Sequence, residues 1–338
     1  PDVLTLTIND NDNVPTLAWG TVAYTVTESS DTLSLTARLS KASCLPITFT
    51  YNVGGTAKYL EDHNLTPQTL TIPAGDTIKE ITFTLIDSDC YELSESIEIT
   101  LVSTANNYSI SENASSLTIT IQDNDTKPSV QWKTPVQVVT ENSGTITITA
   151  TLDYSSCVDI SFEYTVSGSA TYGETCTGTA DHTLTHSTFT IPARMMSNTQ
   201  ESTICERDCF EADENIIIQI VPSTVINATA TGFLTHTITI EDKISSPKVA
   251  WKTDKQNISE GDSGTITATL TAPSCELLTI SYTVSGSANS PTDHNLTSGF
   301  LSFPEGITIT TVSFETYSNN NCFEGNEDIK LIITDNAM

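Results

Sequence analysis

The chain has 338 residues, of which 42 are acidic and 13 basic, for a net charge of −29 at pH 7. That balance excludes a nucleic-acid backbone as partner, because phosphate binding needs clustered Lys and Arg. Only 16% of residues are charged and 37% are hydrophobic, which excludes a disordered acidic tail. No apolar run approaches membrane-spanning length, so membrane insertion by a helix is not expected. Eight cysteines in an acidic, Thr-rich chain point to an oxidising, extracellular or cell-surface location.

In chain order, the same series of elements appears three times. Trp19, Trp132 and Trp251 open the units, 113 and 119 residues apart. Each Trp leads to a short strand ending in a glutamate, over residues 25–28, 139–141 and 258–260. An alternating strand follows, clearest at residues 145–149 and 265–270, where Thr alternates with Ile, Ala or Leu. A Ser-Cys turn at Cys44, Cys157 and Cys275 then leads into strands over residues 47–53, 160–166 and 280–284. A Gly/Ser/Ala stretch and an Asp-His pair come next: Asp62-His63, Asp181-His182 and Asp293-His294.

Period-two alternation marks half-buried antiparallel strands. About seven such strands per unit, separated by Gly, Pro and Asn turns, imply an all-β chain of tandem immunoglobulin-like β-sandwiches in a head-to-tail array. The expected segments are residues 14–126, 127–245 and 246–338, the third lacking its last strand. Residues 1–13 read as the last strand of a preceding or neighbouring-subunit repeat, since PDVLTLTINDND parallels SLTITIQDND at the end of the first unit. Joining residue 338 to residue 1 would continue the Trp spacing almost unchanged. The chain is thus expected to be one period of a tandem array, or one subunit whose open sandwich accepts a neighbour's strand, the plain alternative being a sequence cut at an arbitrary point within a repeat.

In the first unit, Glu28, Gly54-Gly55-Thr56-Ala57, Asp62, the strand over residues 77–86, the run IDSDCYELSE at 86–95 and the closing Asp123-Asn124-Asp125 occur in one order. This order resembles the Calx-β domain, found in sodium–calcium exchangers and in large surface and adhesion proteins. The resemblance covers essentially the whole chain and loosens in the second unit. It implies Ca²⁺ held by carboxylates at one end of the sandwich. In the first unit the implied ligands are Glu28, Asp62, Asp87, Asp89, Glu92, Glu95, Asp123 and Asp125. The second unit offers Glu141, Asp181, Asp208, Glu211, Glu214 and Asp242, with Arg207 intruding. The third offers Glu260, Asp293, Glu324 and Glu327, with Asp10 and Asp12 closing the set from the following unit. Asn319, Asn320 and Asn321 stand there in place of acids. Six to eight hard oxygens suit Ca²⁺, and converging carboxylates need a cation to offset their repulsion.

Cys44 and Cys90 recur as Cys157 and Cys209, then as Cys275 and Cys322. The two loops of one unit lie at opposite ends of alternating strands, separated by about eight residues at about 3.3 Å each, or about 26 Å. A disulfide tolerates about 7 Å between Cα atoms. The expected bonds are therefore Cys90–Cys157 and Cys209–Cys275 between units, Cys322 to Cys44 of the neighbouring unit, and Cys176–Cys205 within the second. A metal reading of the cysteines fails, since Cys205 and Cys209 have no matching second pair.

The histidines of the Asp-His pairs are expected to pack rather than bind metal, and the three Trp to fill cores. No Ser/His/Asp arrangement is framed by a nucleophile motif, so no enzyme activity is expected. Asn-x-Ser/Thr triplets at Asn107, Asn113, Asn227, Asn257 and Asn295 permit glycans. The expected function is a stiff extracellular stalk or fibre whose partners are copies of itself, head to tail, with glycans or a surface receptor as further candidates. The alternatives are a calcium-binding regulatory module, a cadherin-like adhesion ectodomain suggested by the linker at residues 9–15, and an accessory region of an enzyme.

Overall fold

The computed structural model describes residues 2–29, 32–103, 105–318, 323 and 325–334. Cys322, Glu324 and the three asparagines at 319–321 lie outside these residues.

The first repeat contains β1 (Thr16–Trp19), β2 (Ala23–Thr27), β3 (Leu33–Leu39), β4 (Ile47–Gly55), β5 (Gln68–Ile72), β6 (Ile78–Phe83), β7 (Glu95–Val102), β8 (Ser109–Ile110) and β9 (Ser116–Gln122). They form two facing sheets, ordered β6-β3-β1-β8 and β2-β9-β7-β4-β5. The alternation predicted from sequence is visible in β9, where Leu117, Ile119 and Ile121 are buried and the intervening Thr residues are not. The core is closed by Trp19, whose indole N–H donates to the Ile99 carbonyl at 3.2 Å.

The second repeat repeats this plan with β10 (Ser129–Trp132), β11 (Val136–Thr140), β12 (Thr145–Leu152), β13 (Ile160–Gly168), β14 (Ser187–Ile191), β15 (Ser197–Thr203), β16 (Glu214–Ile220), β17 (Thr229–Ala230) and β18 (Thr235–Glu241). Its sheets are β15-β12-β10-β17 and β11-β18-β16-β13-β14. Trp132 is buried edge-on among Phe162, Tyr164 and Phe189, with ring centroids 5.7, 5.9 and 5.7 Å away.

Among the described residues the third repeat has β19 (Val249–Trp251), β20 (Ser263–Leu270), β21 (Leu278–Gly286), β22 (Gly299–Phe303), β23 (Ile309–Glu315) and β24 (Ile329–Ile333), in sheets β19-β20-β23 and β22-β21-β24. Among the described residues nothing pairs with the outer edge of β24. One expectation changes here: residues 258–260 form no strand. In the first two repeats the short second strand pairs in parallel with the last strand, β2 with β9 and β11 with β18, and among the described residues the third repeat has no such ladder for it to join. Residues 2–13 are exposed and join none of these sheets.

Successive repeats meet loop to loop. The loop after β6 touches the loop after β12: the Tyr91 N–H donates to the Ser155 carbonyl at 3.1 Å, and the Cys157 N–H to the Tyr91 carbonyl at 2.8 Å. The second junction repeats the pattern, Phe210 N–H to Pro273 at 2.8 Å and Cys275 N–H to Phe210 at 2.9 Å. Disulfides Cys90–Cys157 and Cys209–Cys275 close these contacts, with Cα atoms 5.3 and 5.0 Å apart. Cys176–Cys205 lies within the second repeat, and Cys44 is free and exposed. Three disulfides suggest an oxidising environment, and among the described residues no helix is long and apolar enough to cross a membrane.

Because the second core is organised around one fully buried indole, Trp132→Ala should cost about 3–5 kcal/mol of stability. Urea unfolding followed in that repeat should show the loss, and a variant within about 1 kcal/mol of the parent would mean the core is built around other contacts.

Candidate metal centres at the junctions

The acidic side chains gather where the last strand leaves each sandwich. In the first repeat Glu28 follows β2, and its N–H donates to the Gln122 carbonyl at 3.2 Å. This bond fixes the glutamate beside the end of β9. Asp123 accepts from the Glu92 N–H at 3.1 Å and from the Asp125 N–H at 3.0 Å, drawing the loop after β6 against the interdomain linker. Carboxylate oxygens of Glu28, Asp123 and Asp125 come within 4.8 Å of one another. Asp87 accepts from the Asn124 side-chain amide at 3.0 Å on the exposed rim. Asp89 is also exposed, and its carbonyl takes the Ser155 hydroxyl across the junction at 3.0 Å.

A second group adjoins the first. Asp62 is placed by a turn that begins at Gly55, whose φ of +111° and close approach to the Ser96 carbonyl leave no room for a Cβ. The N–H groups of Thr56 and Ala57 both donate to that carbonyl, at 2.9 and 3.0 Å. Asp62 then faces Glu95, and Glu92 lies near both groups.

The electrostatics are those of crowded, partly buried carboxylates. Glu28 is buried, and its carboxyl is pushed up to about 8, first by burial, then by a hydrogen bond to Glu92 and by the charges of Glu92, Asp123 and Asp87. Burial, then the bond to Asp62, raises Glu95 to about 8 as well. Burial, followed by the neighbouring aspartates and Glu92, also raises Asp125. Glu28 Oε2 and Asp125 Oδ2 are buried without a hydrogen-bond partner. Buried orphan oxygens with like-charged neighbours fit a hard divalent cation.

The second repeat builds the same scaffold with different charges. Glu141 and Glu214 are each pushed up to about 8, by burial first and then by hydrogen bonds to Glu211 and Asp181 respectively. Asp181, Glu211 and Glu214 converge within 4.8 Å, and Asp242 accepts from the Glu211 N–H at 2.5 Å. Here the protein supplies its own cations. Arg207 pairs with Glu211 at 2.5 Å, while Lys243 pairs with Glu206 and lies 3.7 Å from Asp208. The Asp208 side chain is fully exposed and stands outside the converging group. Ile244 occupies the place of Asp125.

In the third repeat Glu260 and Glu327 are exposed, and among the described residues no converging group of acids includes them. Asp293 is half-buried and accepts from the Asn289 N–H at 2.7 Å. Asp10 and Asp12 are exposed at the far end of the chain, and Asp10 accepts from the Asp12 N–H at 2.9 Å.

The histidines of the Asp-His pairs are structural. His63, His182 and His294 are buried, and each ring Nδ1 accepts an N–H bond at 3.1 Å from the residue two further on. Burial holds His63 and His182 below the usual imidazole range. The sequence showed the pairs but not this role, whose signal is the leucine at each accepting position: Leu65, Leu184 and Leu296.

The Calx-beta domain family matches residues 10–125, 123–243 and 252–338. The chain belongs to the Calx-beta family. No curated protein matches it. Among solved structures it is similar to the CBD12 region of CALX1.2, at 15% identity and a TM-score of 0.32, covering 67% of this chain and 99% of that one. It is also similar to the apo-form Calx CBD1 domain, at 20% identity and a TM-score of 0.32, covering 33% of this chain and 100% of that one. A third is the calcium-binding domain CBD12 of CALX1.1, at 15% identity and a TM-score of 0.32, covering 66% and 98%. In this Calx-beta chain the first repeat carries the acidic group best suited to a cation.

The raised carboxyls give a pH test with a definite sign. A group whose pKa rises from 4.5 to about 8 on folding stabilises the metal-free fold below its unfolded pKa, and that stabilisation is lost as pH rises through about 8. Calcium takes only the ionised form, so its stabilising effect should grow across the same window. At a hundredfold excess over Kd it should reach about 2.7 kcal/mol. Melting curves with and without calcium between pH 5 and pH 8 would show this, and a calcium effect independent of pH would contradict it.

Proposed function

We propose that the chain is a non-catalytic, extracellular structural segment, in which Calx-beta sandwiches are joined in single file into a stiff stalk or fibre. The observation that carries this reading is that both internal junctions are built from the same parts. Each has a two-way backbone contact made by the aromatic residue after a cysteine, a disulfide beside it, and an acidic group at the strand exit. A flexible tether would need none of these. Two backbone hydrogen bonds and a covalent bond at one contact restrict bending and twisting together.

Calcium has a mechanical part in this reading. In the first repeat Glu28, Asp123 and Asp125 would hold it, with Glu92 and Asp87 adjacent, between the body of one sandwich and the linker to the next. The bound cation supplies the charge that lets these carboxylates ionise side by side, and so locks the linker's departure angle. In the second repeat Arg207 and Lys243 provide part of that charge permanently, so its junction depends less on calcium. Uneven acidic groups suit a structural use better than a sensor. The partners are further copies of the chain, arranged head to tail.

Small-angle scattering provides the test. The parent protein should give one extended envelope with little spread. Replacing Cys90, Cys157, Cys209 and Cys275 by Ser should broaden the distribution of interdomain angles, and calcium should narrow it again only at the first junction. An unchanged distribution in the four-Ser protein would sink the stalk reading. Calorimetry adds a site-level test: Glu28→Gln should weaken calcium binding by about tenfold or more, about 1.4 kcal/mol or above, whereas an unaltered isotherm would remove Glu28 from the site.

A further inference from the structure

We infer that the second repeat is a self-association site, two copies of the chain pairing antiparallel along the open edge of β11. This pairing uses only the flank of the second sandwich, so it stands apart from the stalk reading, which concerns the ends.

β11 lies at the edge of the sheet β11-β18-β16-β13-β14. Ile216, Ile218, Ile238 and Ile240 fill the core side of that sheet. On its outer side Val136, Thr237, Ile217 and Ser167 form one cross-strand row, and Val138, Thr239 and Asn215 the next. The equivalent rows of the first repeat begin Ala23, Thr118 and Glu98, then Thr25, Thr120 and Ser96. Three neighbouring positions are therefore aliphatic in the second repeat and not in the first. Val136 and Val138 are 64 and 61% exposed, and Ile217 is half-buried. Single exposed apolar residues are ordinary, but a contiguous set that reaches a free edge strand marks a contact surface.

The edge itself is unguarded and rigid. From Val136 to Thr140 it has no Pro and no charged residue, the usual protections of an open strand. The buried His236 on β18 fastens it, with Nδ1 2.7 Å from the Thr134 carbonyl and Nε2 3.3 Å from Gln137 Oε1. The Thr237 N–H donates to the Pro135 carbonyl at 2.9 Å, so Gln137 and Val139 face β18. The alternate residues Val136, Val138 and Thr140 then turn their backbone groups outward.

An identical strand satisfies this edge. With a two-fold axis at Val138, that residue exchanges both backbone bonds with Val138 of the second copy, and each Val136 N–H meets the Thr140 carbonyl of the other. The Thr140 N–H already donates to Ser143 Oγ at 3.0 Å, so every outward donor of the strand has an acceptor. Charge selects a second copy as the occupant. The chain carries −29, yet β11 and the two rows hold no charged residue, so two acidic chains meet there without repulsion. The acid nearest in register, Glu241 opposite Thr140, falls at opposite ends of the seam in the two copies. A contact this small lies below the roughly 1,200 Å² of most stable complexes, so the pairing is weak and concentration-dependent.

All proteins in the test carry Cys44→Ser, which removes the free thiol. By sedimentation equilibrium the chain should pass from monomer to dimer as its concentration rises. Val136→Ala, Val138→Thr and Ile217→Glu together install the first repeat's residues, which the same sandwich plan already accommodates. This triple variant should dimerise about tenfold or more weakly. Val138→Cys reads the register: under mild oxidation it should give a disulfide-linked dimer, because directly opposed residues of this kind sit about 5.5 Å apart. Val136→Cys should not link to itself, but should link to Thr140→Cys when the two are mixed. A chain that stays monomeric at every concentration would leave the edge to an extended segment of another protein and overturn the inference. A triple variant that dimerises as well as the parent, or self-linking at Val136 in place of Val138, would overturn it too.

Discussion

The last strand of each sandwich is the constraint on which the other features depend. In the first repeat β9 lies between β7 and the short β2, so it completes the core, supports the strand before Glu28, and leads directly into Asp123. One strand thus covers Ile97 and Ile99, sets the geometry of the carboxylates and determines where the chain leaves. In the third repeat, whose described residues include no such strand, residues 258–260 form no strand, Trp251 is half-buried and Glu260 is exposed.

Electrostatics and covalent chemistry act at the same place because that strand exits there. The carboxylates of the first junction are crowded and partly removed from water, so each disfavours ionisation of the next, and the cheapest state is one shared proton or one bound cation. The second junction settles the same crowding with an arginine and a lysine. The disulfides beside these groups hold the loops together whichever charge state prevails, so charge tunes the angle of a joint whose contact is permanent.

Much of the architecture was legible in the sequence because strand periodicity reports which face is buried. Thr alternating with Ile or Leu specified the sandwiches, and the opposite ends occupied by successive loops pointed Cys90 toward Cys157 rather than Cys44. The convergence of acids was legible only in outline. Asp208 follows the family's order of acids yet faces away, because nothing in a loop's sequence fixes the direction of a single side chain. Arg207 was visible as an intruder, but its pairing with Glu211 across one turn of loop was not. Residues 258–260 form no strand because, among the described residues, no last strand stands beside them to supply a ladder.

The central claim is that the outgoing loop of one repeat touches the incoming loop of the next, and disulfide mapping of the unreduced protein tests it most directly. Digestion without reductant should release cross-linked peptides joining Cys90 to Cys157 and Cys209 to Cys275. A peptide joining Cys44 to Cys90, or Cys157 to Cys209, would bring opposite ends of one sandwich together and contradict the account.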